Sequence, residues 1–247
     1  MENSNRNTVN ILGVLVDRDS FNDALSRAAS FLEDNAAHAI YTPNPEIIMH
    51  AYRDENYAAV LNRADMVVPD GIGVVYGSRI VGRPVSERVA GFDLSCALLA
   101  HAGKTGKRLF LFGGKPGVAE EAAKKISETY PGIFIAGTTH GYHKSYDHVA
   151  AEIAESAADI VLVCLGAPKQ ELWIDENKDK TGAKVLIGAG GSLDVFAGTV
   201  KRAPLFFRKL NLEWFYRLIK QPSRIGRMLD LPRFAWKVLL HGERQKG

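Results

Sequence analysis

A chain of 247 residues with 46% hydrophobic and 24% charged residues has the balance of an ordinary globular protein, which excludes a disordered chain and leaves ample material for a core. Its two cysteines, Cys96 in SCALLA and Cys164 in VLVCLG, lie in apolar runs and read as reduced core residues, not as a disulfide framework. The net charge of +3 is unevenly spread: residues 201–247 carry 12 Lys/Arg against Glu213, Asp230 and Glu243, a local +9 that leaves −6 on residues 1–200.

In chain order, short apolar runs occur at Val9–Val16, Ala39–Thr42, Met66–Pro69, Arg108–Phe112, Ile133–Ala136, Ile160–Leu165 and Val185–Gly188. They are continuously apolar, the pattern of strands covered on both faces. Between them Phe21–Asn35, Pro45–Asn62, Gly117–Tyr130, Tyr146–Ser156 and Pro168–Lys180 are amphipathic at helical spacing. Strand alternating with helix predicts an α/β fold: a Rossmann-like, mainly parallel sheet with helices on both faces. From about Phe196 no further strand is expected. Aromatic residues there alternate with cations, through Phe206, Phe207, Arg208, Trp214, Phe215, Tyr216 and Arg217, in two or three helices broken near Pro204, Pro222 and Pro232. The division is therefore an α/β catalytic domain over residues 1–195 and a basic, aromatic helical C-terminal appendage over 196–247. No charged-then-apolar stretch marks a signal peptide and no apolar run is long enough to span a bilayer, so a cytosolic location is expected.

Ligands of parallel sheets bind beyond the carboxyl ends of the strands, so the residues after each apolar run are where chemistry is sought. The second run ends in Thr42-Pro43-Asn44-Pro45, where Asn44 suits a helix N-cap and Pro45 the first helical position. The third ends in Pro69-Asp70-Gly71, where Asp70 is either a turn residue or a well-sited general base. Gly71-x-Gly73-x-x-x-Gly77 misses the dinucleotide fingerprint by one residue, with Glu87 and Asp93 near the position of a ribose-binding acid. Gly113-Gly114-Lys115-Pro116-Gly117 feeds a helix N-terminus, a setting that suits a diphosphate. Lys169 and Gln170 fall in the first turn of the next helix, where the dipole disfavours a cation, so a functional reading is preferred for both.

Two patterns are read as bland. Asp17-Arg18-Asp19 resembles a metal-binding Asp-x-Asp, but Asp19 and Ser20 also suit the N-cap of the stretch from Phe21, and no partner acid is evident. His140, His143 and His148 lack helical ligand spacing and a neighbouring cysteine, and read as loop histidines. No metal and no cofactor are expected.

Taken together, TPNPEII, ADMVVPDGIGVV, GRPVSERVAG, LFLFGGKPGVAE, GAPKQELW, GGSLDVFAGTVKRAP and LNLEWFYRLIKQPSRIGRM resemble the WecG/TagA/CpsF family of bacterial glycosyltransferases over nearly the whole chain. The resemblance implies transfer of a sugar from UDP to a polyprenyl-diphosphate-linked sugar. In the teichoic-acid branch the sugar is N-acetylmannosamine, the acceptor N-acetylglucosaminyl-diphosphoundecaprenol, and the outcome inversion. It implies Asp70 as the catalytic base with Thr42 and Asn44 orienting sugar hydroxyls. Gln170 would contact sugar or nucleotide, Arg83 and Arg88 anions, and Arg217, Arg224 and Arg227 would close over the site near the membrane. Catalysis without a metal is also implied.

The aromatics of the tail suit a bilayer interface better than base stacking, so an anionic membrane surface is the expected partner and nucleic acid is not. An exposed apolar tail surface also offers a face for homo-oligomers away from the membrane. The alternatives from other classes are an NAD-type oxidoreductase built on the Gly71 loop and a binding module dominated by the tail.

Overall fold

The computed structural model of the chain describes residues 6–222 and 225–241, and of Arg227 the backbone alone. The chain opens with strands β1 (Thr8–Ile11) and β2 (Val14–Asp17), then helix α1 (Phe21–Phe31). Strand β3 (His38–Tyr41) leads to α2 (Pro45–Arg53) and α3 (Glu55–Asn62), and β4 (Met66–Val67) to α4 (Ile72–Ile80) and α5 (Gly91–Thr105). Then β5 (Arg108–Gly113), α6 (Val118–Thr129), β6 (Phe134–Thr139), α7 (Val149–Ser156), β7 (Ile160–Cys164), α8 (Lys169–Asn177), β8 (Val185–Gly188) and α9 (Ser192–Phe196) alternate. The C-terminal segment holds α10 (Leu205–Lys209), α11 (Glu213–Lys220), α12 (Ile225–Met228) and α13 (Asp230–His241).

Six strands pair in parallel in the order β4-β3-β8-β7-β5-β6. The apolar runs of β7 and β8 have the cause inferred for them, since both are buried at every position, whereas the run that forms β6 lies at the sheet edge and is exposed or half-buried from Phe134 to Thr138. Alternate residues serve opposite faces. Phe110, Phe112, Val161, Val163 and Leu186 join one core with Ile48, Leu61 and Ile174, while Leu109, Leu111, Ile160, Leu162, Val185 and Ile187 join the other with Ala28, Leu98 and Ile126.

The run Val9–Val16 departs from expectation: it is not a strand of this sheet but an antiparallel hairpin of β1 and β2. Leu12 and Gly13 both have positive φ, 52° and 93°, and the Gly13 N–H donates to Asn10 Oδ1 at 2.8 Å. Two consecutive positive-φ residues make the tight turn that matches strand twist. The hairpin lays Val9, Ile11, Val14 and Val16 on the first core.

The stretch Pro45–Asn62 is two helices, because Asp54 is extended and its Oδ1 accepts from the N–H groups of Asn56 and Tyr57, starting α3 anew. Helices α4 and α5 supply the helical crossover between β4 and β5, for which the amphipathic spacing names no segment. In α4 the near-fingerprint glycines are packing positions. A Cβ at Gly73 would lie 2.6 Å from Pro45 Cγ, and one at Gly77 3.0 Å from Phe234 Cζ. The close approach lets α13 fold back on α2 and α4, with Phe234 and Val238 buried in the same core as Ile11 and Ile48. Burying a side chain such as Phe234 contributes about 2–3 kcal/mol. An ion pair between Arg53 and Asp230 closes that contact at its edge.

Candidate active site

Asp70 follows β4 at the carboxyl edge of the sheet. Its N–H donates to Pro43 O at 3.1 Å, and the Val89 N–H donates to Pro69 O at 3.0 Å, so three loops are tied together there. Gly71, at φ 103°, turns the chain sharply into α4, a conformation that glycine adopts without strain. The Asp70 carboxylate then meets two donors. Arg88 Nη2 reaches Oδ1 at 3.3 Å, and the N–H of Gly91, first residue of α5, reaches Oδ2 at 3.3 Å. Burial raises the Asp70 carboxyl above the usual aspartate range, outweighing the opposite pull of Arg88, Gly91 and Arg217. Yet 29% of its side-chain surface stays open, so the group is crowded by protein while still reachable. A reachable carboxylate of raised pKa is a proton acceptor better matched to neutral pH than an ordinary aspartate.

Arg88 is shared. The same Nη2 donates to Glu213 Oε2 at 3.2 Å, and Glu213 Oε1 accepts from Arg202 Nε at 3.4 Å and Arg217 Nη2 at 3.3 Å. Burial alone would raise the Glu213 carboxyl, but Arg217, Arg202 and Arg88 together hold it below the usual range. Arg202 is itself fixed by two bonds to Asp93, at 2.6 and 2.7 Å, and stands 4.8 Å from the centre of the Phe92 ring.

These groups form the polar end of a cavity of about 320 Å³ between the sheet edge and the C-terminal helices. Asn44, Asp70, Arg88, Glu213 and Arg217 line that end, and Tyr76, Ile80, Trp214, Leu231 and Phe234 line the apolar remainder. Asn44 caps α2, its Oδ1 accepting the Ile47 N–H at 3.0 Å. Thr42 does not line the cavity. Its hydroxyl donates to Gly188 O at 3.3 Å and its side chain abuts Gly91, where a Cβ would lie 2.7 Å from Thr42 Oγ1. It therefore touches the residue whose N–H holds Asp70.

Other candidates fall elsewhere. Gln170 is 3% exposed; its Oε1 accepts from Gly166 and Gly190 at 3.1 and 3.0 Å, and its Nε2 donates to Glu171 Oε1 at 2.7 Å. It ties the loops after β7 and β8 to each other. Lys169 is exposed at the start of α8. Gly113 is required by strand packing, since a Cβ there would sit 2.4 Å from Cys164 O, and Gly114 O accepts the Gly141 N–H at 2.9 Å. The first turn of α6 carries Glu120 and Glu121, which oppose an anion at that helix start. Arg83 donates to Asn7 Oδ1 at 3.4 Å, beside the N-terminal hairpin, and is not a cavity residue. Arg217 is at the cavity, whereas Arg224 and the Arg227 side chain lie outside the described residues.

The acids of the rejected patterns are occupied. Asp17 is buried between Arg6 and Arg27 and accepts the Val67 N–H, Asp19 pairs with Arg27, and Ser20 rather than Asp19 caps α1. Glu87 Oε1 accepts the Phe21 N–H at 2.8 Å and Asp93 is bound by Arg202, so neither stands as a free ribose acid. Among the described residues no group of three or more His, Cys, Asp or Glu is arranged to hold a metal ion. His140 stacks on His143 at 4.0 Å, and His143 meets His148 edge-on at 4.9 Å.

Sequence reasoning missed Glu213 and Arg202 as site residues. One signal was available. Glu213 is a lone acid in a basic, aromatic stretch, LNLEWFYR, and so the natural collector of nearby arginines.

A doubly wound parallel sheet with a raised-pKa carboxylate and converging arginines at its carboxyl edge defines an α/β enzyme that acts on anionic substrates. The chain matches the family described as Glycosyl transferase WecG/TagA/CpsF family over residues 9–247, and it belongs to that family. It is 44% identical over 212 residues to an N-acetylglucosaminyldiphosphoundecaprenol N-acetyl-beta-D-mannosaminyltransferase of Bacillus spizizenii, a span covering 86% of this chain and 82% of the relative. A protein of the same name from Bacillus subtilis is 43% identical, covering 92% and 88%, and one from Staphylococcus aureus 37% identical, covering 96% and 94%. The protein is a glycosyltransferase.

Proposed function

We propose that this enzyme moves N-acetylmannosamine from UDP to the sugar of an undecaprenyl-diphosphate-linked N-acetylglucosamine, with inversion, in the synthesis of teichoic acid or a related surface polymer. The acceptor hydroxyl attacks the anomeric carbon as the bond to UDP breaks on the opposite face. Asp70 takes the hydroxyl proton across about 2.6–3.2 Å in the ternary complex. Asn44 beside it, and Thr42 through Gly91, set the position of the reacting groups. The departing diphosphate gains negative charge, which Arg88 and Arg217 offset, joined by Arg224 and Arg227. Gln170 serves by holding the loops after β7 and β8, and Lys169, exposed at the start of α8, remains a candidate anion contact, whereas Arg83, Gly113 and Gly114 are given structural roles.

The observation that carries this reading is the Asp70–Arg88 contact on the wall of a cavity otherwise lined largely by apolar side chains, with α11 and α13 of the basic C-terminal segment contributing to its lining. A lipid diphosphate has the same two-part chemistry. No helix among the described residues is long and apolar enough to cross a membrane. Peripheral binding on the inner face of the cell membrane is supported by the +9 charge of residues 201–247 and by exposed Phe206, Trp214, Phe215 and Trp236. Residues 196–247 act in this scheme as an appendage to the domain 1–195, and their apolar surface offers a face for a homo-oligomer off the membrane.

The test is a donor screen on a short-lipid diphosphate acceptor with mass spectrometry of the product. UDP-N-acetylmannosamine should extend the acceptor by one residue. Extension by another UDP-hexose or a UDP-uronic acid alone would move the enzyme to another branch of the family. Asp70→Asn should lower kcat by at least about a thousandfold while UDP still binds; a variant keeping a tenth of the activity removes Asp70 as the base.

A further inference from the structure

Helix α11 sits over the cavity, yet its packing is unlike that of the other long helices. Along Glu213–Lys220 the one buried residue is Glu213, a carboxylate. Trp214, Phe215 and Ile219 remain more than a third exposed, and Tyr216 and Leu218 are only partly covered, Tyr216 against the Phe207 ring of α10. The one buried side chain that ties the start of this helix to the α/β unit is therefore ionic. Glu213 accepts from Arg88 of the loop before α5 and from Arg202 of the segment before α10, and from Arg217 one turn along its own helix. Arg202 is in turn held by Asp93 of α5. One guanidinium nitrogen, Arg88 Nη2, is divided between Glu213 and Asp70 at 3.2 and 3.3 Å. Arg88 Nε meets no partner among the described residues although it is buried, so this arginine keeps an unspent donor beside the base.

We propose that Glu213 is a positioning residue of the transfer reaction: its carboxylate latches α11 over the cavity and sets Arg88 and Arg217 beside Asp70. This rests on the reading of Asp70 as the base. Glu213 acts in two ways. It orients two of the cations that meet the departing diphosphate. It also draws Arg88 partly away from Asp70, because a guanidinium shared by two carboxylates stabilises each less than one it serves alone. The charged groups facing Asp70 are Arg88, Arg217 and Glu213, and those facing Glu213 are Arg88, Arg202 and Arg217. Neutralising Glu213 removes a negative charge near Asp70 and leaves Arg88 to Asp70 alone. Both changes favour the ionised form of Asp70, so they move the acid limb of the rate profile to lower pH and weaken the base. Because the latch is ionic, an arriving diphosphate competes with Glu213 for the same guanidinium groups, which couples substrate arrival to the placement of α11.

The experiment compares full-length wild type, Glu213→Gln, Glu213→Asp, Arg202→Gln and Asp70→Asn. It measures kcat and KM against pH on the short-lipid acceptor, and hydrogen exchange of the amides of residues 214–220. Glu213→Gln should lose roughly ten- to a hundredfold in kcat, the size expected when charged groups shift by about an ångström. Its acid limb should move down in pH and its α11 amides should exchange faster, and Glu213→Asp should recover part of each. Arg202→Gln should show the same changes, smaller, and it carries the test should Glu213→Gln not fold. Wild-type kcat, pH limb and exchange in folded Glu213→Gln overturn the proposal. Loss of activity with the limb and exchange both unmoved overturns it too. Substantial turnover by Asp70→Asn would instead sink the base assignment, and faster exchange in Glu213→Gln would still report the latch.

Discussion

Helices α13 and α11 close the same cavity by opposite means. Helix α13 buries Phe234 and Val238 in the core that also holds Ile11 and Ile48, and Asp230 adds an ion pair with Arg53 at the edge. Helix α11 buries one carboxylate and is held by arginines. Apolar burial is strong, undirected and indifferent to the charge of a ligand, whereas guanidinium groups that hold a carboxylate can also donate to a second anion. On the proposal above, α13 belongs to the permanent structure and α11 is the part that answers the substrate. Both belong to the segment beyond residue 195, so that segment is not uniform: its far end is tied into the core of the α/β unit by apolar side chains, and its middle buries a carboxylate among arginines.

The sharpest way to break this comparison is Phe234→Ala. It should destabilise the whole protein by about 3–5 kcal/mol in denaturant unfolding, the cost of emptying a filled core site. A loss under 1 kcal/mol would mean that α13 is not part of the cooperative unit. Next in size, replacing Arg217, Arg224 and Arg227 together by alanine should lower kcat at least about tenfold while leaving unfolding and most vesicle sedimentation intact, since nine other cations remain in residues 201–247. Normal turnover would make these arginines membrane ligands and nothing more.

The smallest effect is in pH. Arg53's hydrogen bond lowers the Asp230 carboxyl, and the arginines around Glu213 lower it despite burial. A depressed carboxylate gives stability that is present above its unfolded pKa, about 4, and lost as pH falls through the folded value. Amide protection in α11 and α13, corrected for the intrinsic pH dependence of exchange, should therefore be flat from pH 5 to 8. Below pH 4, α11 should open before α13, because α13 retains buried apolar anchors in Phe234 and Val238 and α11 has none. Simultaneous opening would erase the distinction.

How much was legible in the sequence varies with the range of the contact. Asp70 stood out because a strand end in a parallel sheet is a ligand site wherever the fold places it. Asn44 announced itself as a cap, and Asp54 as a helix start was within reach from the same chemistry. The hairpin within Val9–Val16 was hidden because Leu12, an apolar residue, takes the first positive-φ position, and only Gly13 marks the turn. Gly77 read as a failed nucleotide loop since its partner, Phe234, lies 157 positions further on. Glu213 and Arg88, separated by 125 positions, cannot be paired by any local pattern.

By itself the sequence determined the strand–helix alternation, the continuously apolar strands, the basic tail and the family, because each is written in neighbouring residues or in ordered motifs. Only the tertiary structure decided which arginine meets which carboxylate. It alone showed that Gln170 braces two loops, that Arg83 lies away from the cavity, and that the tail returns to the core at Phe234. The reason is physical. Helix and strand formation depend on spacing along the chain, whereas the charge state of Asp70 and the seat of α11 depend on groups that only folding brings within a few ångströms.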